Sequence, residues 1–301
     1  VPADPIGGAC GRILAAFPGK IAGIYLLGSR AIGQDDEGSD VDLGVVFRGE
    51  AEAGLRRAAK DLAAELSRTS AVPVDLDVLD EADAARGIRP RWSAGRLLAG
   101  DDVLSGRPLL PLEELEFYFG HLAVYFSWAV RGRPDIIRYP LGYPGDGAYF
   151  GYERNGIRGG EGDYRPGCKM LVNVVLSAAQ YRLIRGSGVS TTSKHLTAEA
   201  YRRSLPGDPW AGLVSSADDL CRVRLQGRLP EDGADRRALS EICRRLPDLE
   251  NDAFGACLLD LPRLGRVEDP DLRLRLMGIV DQVRTDSPAH AAAIEEARRL
   301  L

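Results

Sequence analysis

Short apolar runs and helix-forming stretches alternate along the first hundred residues. Ile13 to Phe17 is apolar at helical spacing and stops at Pro18-Gly19, a pair that does not continue a helix. Ile21 to Leu27 is almost continuously apolar, which predicts a buried strand closed by Gly28. A polar loop rich in Gly and Asp leads into a second strand, Val41 to Phe47. Ala51 to Ser67 has the Ala, Leu, Glu and Arg content of a helix. From Val72 to Leu79, Val and Leu alternate with Asp75 and Asp77, the period of a third, half-buried strand. Helix, strand, loop, strand, helix, strand predicts a small mixed sheet covered by helices.

Beyond residue 108 the pattern changes. Leu115, Phe119, Leu122 and Phe126 recur at helical spacing, behind Glu113, Glu114 and Glu116, which suit a helix N-terminus. Arg133 to Pro166 is rich in Gly, Pro and Tyr and has no period. A helix over Cys168 to Arg185 follows, with Gly186 as the stop signal, and the last helix is expected from Ser287-Pro288. The fold class expected is α+β: a mixed-sheet domain over residues 1–108 and an all-α domain over 109–301, joined near Ser105 to Pro111, with a substrate cleft between them.

Composition narrows the function classes. At 301 residues, 45% hydrophobic and 28% charged, the chain reads as a soluble globular protein. No apolar run approaches the roughly 20 residues a membrane helix needs. The first residues lack the basic-then-apolar order of a secretory signal. A formal charge of −5 disfavours a long nucleic-acid partner. Cys10, Cys168, Cys221, Cys243 and Cys257 are widely spaced, with no C-x-x-C, so reduced thiols and a cytoplasmic setting are expected. His121, His195 and His290 form no H-E-x-x-H motif, and neither a P-loop nor a nucleophile elbow occurs.

The informative stretch is Gly28-Ser29, ten residues, then Asp40-Val41-Asp42. Two acids two apart on a strand face the same side, roughly 7 Å apart at the backbone. Their mutual repulsion is relieved by a divalent cation. Gly28 lets backbone approach a ligand closely, and free N–H groups with the Ser29 hydroxyl suit a phosphate. Asp75 in the third strand can complete a three-carboxylate cluster; Asp77 projects from the same face and is the rival third acid. Such a set suits phosphoryl transfer assisted by two metal ions.

This motif resembles that of the DNA polymerase beta-type nucleotidyltransferase superfamily, over about residues 10 to 105. The resemblance implies that Asp40 and Asp42 bind magnesium with Asp75, that two ions are held, and that Gly28, Ser29 and Arg30 hold the nucleotide's phosphates. It also implies that Asp75, placed directly after Val74, is the general base. Asn173-Val174-Val175-Leu176, Tyr181-Arg182-Leu183-Ile184, Gly188 and Ser193-Lys194 resemble the helical domain of streptomycin/spectinomycin-type aminoglycoside adenylyltransferases. That implies ATP as co-substrate, Lys194 on the triphosphate and a role in antibiotic resistance. In a chain with only four lysines (Lys20, Lys60, Lys169, Lys194), a lysine at that place stands out.

The leading expectation is transfer of AMP from ATP to a hydroxyl of an aminoglycoside-like small molecule, with release of pyrophosphate. The rivals are the same chemistry on a protein, nucleic-acid or biosynthetic acceptor, and a non-catalytic nucleotide-binding protein. For a cationic acceptor, Asp146, Glu153, Glu161 and Asp163 are the expected acids, with Tyr149 and Tyr152 as ring faces. The sequence leaves the oligomeric state open.

Overall fold

Strand β1 (Ile21–Leu26) is buried along its whole length and lies inside a four-stranded sheet of order β3-β2-β1-β4. Its neighbours are β2 (Val41–Phe47) and β4 (Arg96–Gly100), both antiparallel to it. β3 (Val74–Asp80) runs parallel to β2, so the sheet is mixed, as the alternation of elements requires. The computed structural model describes residues 4–33, 35, 40–70, 72–154, 157–158 and 164–300. The chain divides into two units, Val1–Pro111 and Leu112–Leu301.

Strand alternation gives the sheet two unlike faces. Leu43, Val45 and Phe47 of β2, with Val74 and Leu76 of β3, join Ile13 and Phe17 and the buried Ala59 and Leu66 in one core. That core is covered by α1 (Pro5–Ala16) and α3 (Ala53–Thr69). On the other face Tyr25, Leu27, Val46 and Leu79 pack with Ala84, Ile88 and Trp92, around the short helices α4 (Glu81–Arg86) and α5 (Pro90–Ser93). Asp42, Gly44 and Val46 share this second face on β2, and Asp75, Asp77 and Leu79 share it on β3. Each strand therefore runs from acid to apolar along one face. α2 (Gly28–Ala31) is a single turn between β1 and the loop to β2.

The second unit is helical. α6 (Leu112–Val130) and α7 (Lys169–Ser187) pack side by side, and α10 (Gly233–Asp260) crosses both. α7 is buried on nearly every face, from Leu171 to Ile184, which makes it the central helix. It runs through Gly186 and stops two residues later, at Gly188, which takes the left-handed cap (φ 69°) assigned to Gly186 from sequence. α8 (Thr197–Ser204), α9 (Ala211–Ala217), α11 (Pro270–Gln282) and α12 (Pro288–Arg299) complete the helices, and α12 starts at the expected Ser287-Pro288 pair. Two small strand pairs decorate this helical unit: β5 (Ile137–Tyr139) with β8 (Val283–Thr285), and β6 (Ile157–Arg158) with β7 (Tyr164–Arg165).

Candidate active site

Leu27 leaves β1 in an extended conformation and its N–H donates to the Asp42 carbonyl at 2.8 Å. Gly28 then turns with φ 68°, a region open to glycine. A Cβ at Gly28 would lie 2.0 Å from Asp42 Oδ2, so the Asp42 carboxylate occupies the space that a side chain there would need. The Gly-Ser motif and the first strand acid are thus one packed unit. Arg30 reaches across the connecting loop: its Nε donates to the Asp40 carbonyl at 3.1 Å and its Nη1 pairs with Asp35 at 3.1 Å.

The register of β2 against β3 sets Asp42 opposite Asp75 and Gly44 opposite Asp77. Register partners on parallel strands are about 4.8 Å apart and point the same way. Asp40 is exposed just ahead of β2, and Asp42 is partly buried. Packing around the Asp75 carboxyl raises its pKa; the Arg91 guanidinium acts in the opposite sense, and the Asp77 and Asp40 carboxylates add to the rise. The two rival acids differ in their surroundings. Asp77 accepts the Trp92 indole N–H at 3.0 Å and faces Arg89 at 3.7 Å. Gly44 makes room for that indole, since a Cβ there would lie 2.5 Å from the ring. Asp77 anchors Trp92, while Asp75 stands beside Asp42.

Sequence reasoning missed Arg91. Its Nη2 is 3.2 Å from Asp42 Oδ1. Nothing in the spacing of Arg89-Pro90-Arg91-Trp92 marks the middle arginine, because its role depends on a fold contact 49 residues away. Among the described residues no group of three or more His, Cys, Asp or Glu side chains is arranged to hold a metal ion. Asp42 and Asp75 nevertheless fit a hard divalent cation in chemistry: oxygen donors, adjacent in register, at the cradle above Gly28.

In the second unit, Lys194 Nζ donates to Asn173 Oδ1 at 2.7 Å and lies 4.9 Å from the Phe126 ring centroid. Two separate parts of the second sequence motif are therefore joined. Ser193 caps the turn Lys194–Leu196 by accepting the His195 N–H, so His195 sits at a helix start. Its Nδ1 is 2.8 Å from Arg222 Nη1, on a π-helical turn, Asp218–Arg224.

The Tyr-rich segment is more structural than its composition implies. Tyr152 is fully buried and its hydroxyl donates to Glu250, which also takes two hydrogen bonds from Arg131, at 2.7 and 3.0 Å. Tyr149 is buried too, so neither ring is the exposed face expected for an acceptor. Tyr143 is exposed and stacks on Phe150 at 4.6 Å. Asp146 is exposed, and Glu153 accepts the Gly151 N–H at 3.1 Å. Glu161 and Asp163 lie outside the described residues.

Residues 12–89 match the family described as the nucleotidyltransferase domain, a span that holds the Gly28-Ser29 turn and Asp40, Asp42 and Asp75. No curated protein matches the chain. Among solved structures it is similar to spectinomycin adenyltransferase AAD(9) from Enterococcus faecialis, solved with ATP and spectinomycin. The identity is 12%, the match covers 81% of this chain and 98% of that one, and the TM-score is 0.45.

Proposed function

We propose that the protein, whose first unit is built on a nucleotidyltransferase domain, moves AMP from ATP to a hydroxyl of a small molecule and releases pyrophosphate. The observation that carries this reading is the register pairing of Asp42 with Asp75 beside the Gly28 turn. A protein that only bound nucleotide would have no use for carboxylates set against one another on neighbouring strands, which repel.

Asp40, Asp42 and Asp75 would hold magnesium, which supplies charge neutralisation on the triphosphate and its pyrophosphate leaving group. The backbone of the Gly28-Ser29 turn, the Ser29 hydroxyl and Arg30 would hold the phosphates. Asp75, opposite Asp42 in register, would accept the proton of the acceptor hydroxyl. Lys194, held by Asn173, is the lysine this reading assigns to the triphosphate. An aminoglycoside-like acceptor is the class favoured by the Asn173 to Lys194 motif, with resistance as its role and the cytoplasm as its setting. With Tyr149 and Tyr152 buried, the acceptor's ammonium groups are left to exposed acids such as Asp146.

The test is pyrophosphate release from ATP with magnesium and a panel of aminoglycosides, lincosamides and nucleosides, with Asp40→Asn and Asp42→Asn as controls. Turnover of an amine-bearing sugar that falls at least about a hundredfold in either variant supports the reading, on the scale of losing a transition-state charge partner. Near-normal turnover in either variant refutes the metal assignment. Turnover of only neutral or protein acceptors refutes the antibiotic assignment alone.

A further inference from the structure

We propose that Arg91 is the resident counter-ion of the acid pair, competing with a free divalent cation for Asp42 and passing to the nucleotide's phosphates when cation and nucleotide arrive together. This rests on the metal-dependent reading above and extends it to how the site is loaded.

The turn that carries Arg91 is built to present it. Arg89, Pro90 and Trp92 on either side are buried, and Ser93 Oγ donates to the Pro90 carbonyl at 2.8 Å. Asp77 fixes the turn to β3 by accepting the Trp92 indole N–H and facing Arg89. Trp92 is seated over Gly44. With its neighbours turned inward, Arg91 reaches the acid end of the face, 3.2 Å from Asp42 Oδ1. Its side chain remains partly exposed, at 31%. A guanidinium so held is pre-organised, yet it is wet enough to exchange partners.

A divalent cation entering alone must displace that guanidinium and leave it without its carboxylate. A cation entering with a triphosphate supplies the displaced arginine with phosphate oxygens, for which its fork is well suited. Cation and nucleotide then favour each other's binding, a coupling that runs equally in both directions. The arrangement also gives Asp77 a part: it is the anchor of Arg91, with no hand in the chemistry.

The experiment measures Mn2+ binding to the full chain by electron paramagnetic resonance, without nucleotide, in wild type, Arg91→Gln, Arg91→Lys and Asp42→Asn. It then measures affinity for a non-hydrolysable ATP analogue at saturating Mn2+. Arg91→Gln is expected to bind free Mn2+ about two- to fivefold more tightly, the range of a partly exposed ion pair, and the analogue several-fold more weakly. Arg91→Lys, which keeps the charge, restores wild-type behaviour in part. Equal or weaker Mn2+ binding in Arg91→Gln overturns the proposal while leaving the enzyme reading intact. Unchanged analogue affinity overturns the hand-over to phosphate. Absence of Mn2+ binding that depends on Asp42 overturns both the proposal and the metal-dependent reading.

Discussion

Asp75 stands opposite Asp42 across the parallel strand pair, while Asp77, two residues further on the same face, stands opposite Gly44 and holds Trp92. One strand thus carries the acid proposed as the base and, two residues on, the acid that anchors Trp92. Asp75→Asn removes a proton acceptor and leaves packing alone. It should lower kcat far more than it raises KM for ATP, with thermal stability near wild type.

Asp77→Ala should behave in the opposite manner. It strands the buried Trp92 indole N–H, a loss of about 1–3 kcal/mol, read as a lower urea midpoint with an unchanged slope. Activity should fall less than in Asp75→Asn. If Asp77→Ala instead loses turnover with full stability, the two roles are exchanged.

The strands that build this face were legible because burial forces their composition. Ile21 to Leu26 is covered on both faces and reads as an apolar run; Val74 to Asp80 is covered on one and alternates. β4 was not legible: it is an edge strand whose residues are exposed or half-buried, so it has neither pattern. The acids at Asp40, Asp42 and Asp75 were visible through their spacing, and their register across β2 and β3 was not. Arg91 and the inward turn of Tyr152 escaped for a shared reason, since each is defined by a partner distant in sequence, Asp42 and Glu250. Composition marks Tyr152 as aromatic and cannot say which way it faces. The helix end at Gly188 rather than Gly186 shows the same limit locally: two glycines two apart offer the same signal, and the left-handed cap falls at the second.

Gly28 offers a substitution with a defined geometric consequence. Gly28→Ala places a methyl 2.0 Å from the present position of Asp42 Oδ2 and puts alanine in a left-handed conformation. The backbone cost is about 1–2 kcal/mol. The larger effect should be on the Asp42 carboxylate, which must leave its place above the turn. Transfer activity should drop at least about tenfold, beyond what the stability loss explains. Crystallography of the variant should show the carboxylate displaced. Retained activity with the carboxylate displaced would show that the cradle has no part in catalysis.

Acid sensitivity should concentrate in the second unit at Asp208. Burial opposes its charge, but hydrogen bonds from Arg182, the Trp210 N–H and Tyr201 prevail and hold its pKa below the usual value. A depressed carboxylate contributes stability in full above its unfolded value of about 3.9 and loses it as pH falls through the folded value. Wild type should therefore lose stability as pH falls below about 4, and Asp208→Asn should flatten that dependence. Urea unfolding at pH 7 and pH 3 gives the comparison; an equal slope in both proteins would remove Asp208 from the account.

Asn173 and Lys194 are 21 residues apart and joined by one hydrogen bond of 2.7 Å, so the contribution of each can be separated by a double-mutant cycle. Lys194→Ala removes a charge-assisted contact, about 1.5–3 kcal/mol for such bonds, and should raise KM for ATP about tenfold or more with a smaller change in kcat. Asn173→Ala leaves the ammonium in place and takes away its support. Its effect should be in the same direction and smaller, because Phe126 still holds the lysine from its ring face. With the lysine gone, the asparagine has nothing left to position, so the double variant should match Lys194→Ala alone. Additive losses would mean that Asn173 meets the nucleotide independently. No change in ATP affinity for Lys194→Ala would make the pair a structural clasp between α7 and the turn that follows it, and the triphosphate role would pass to another cation.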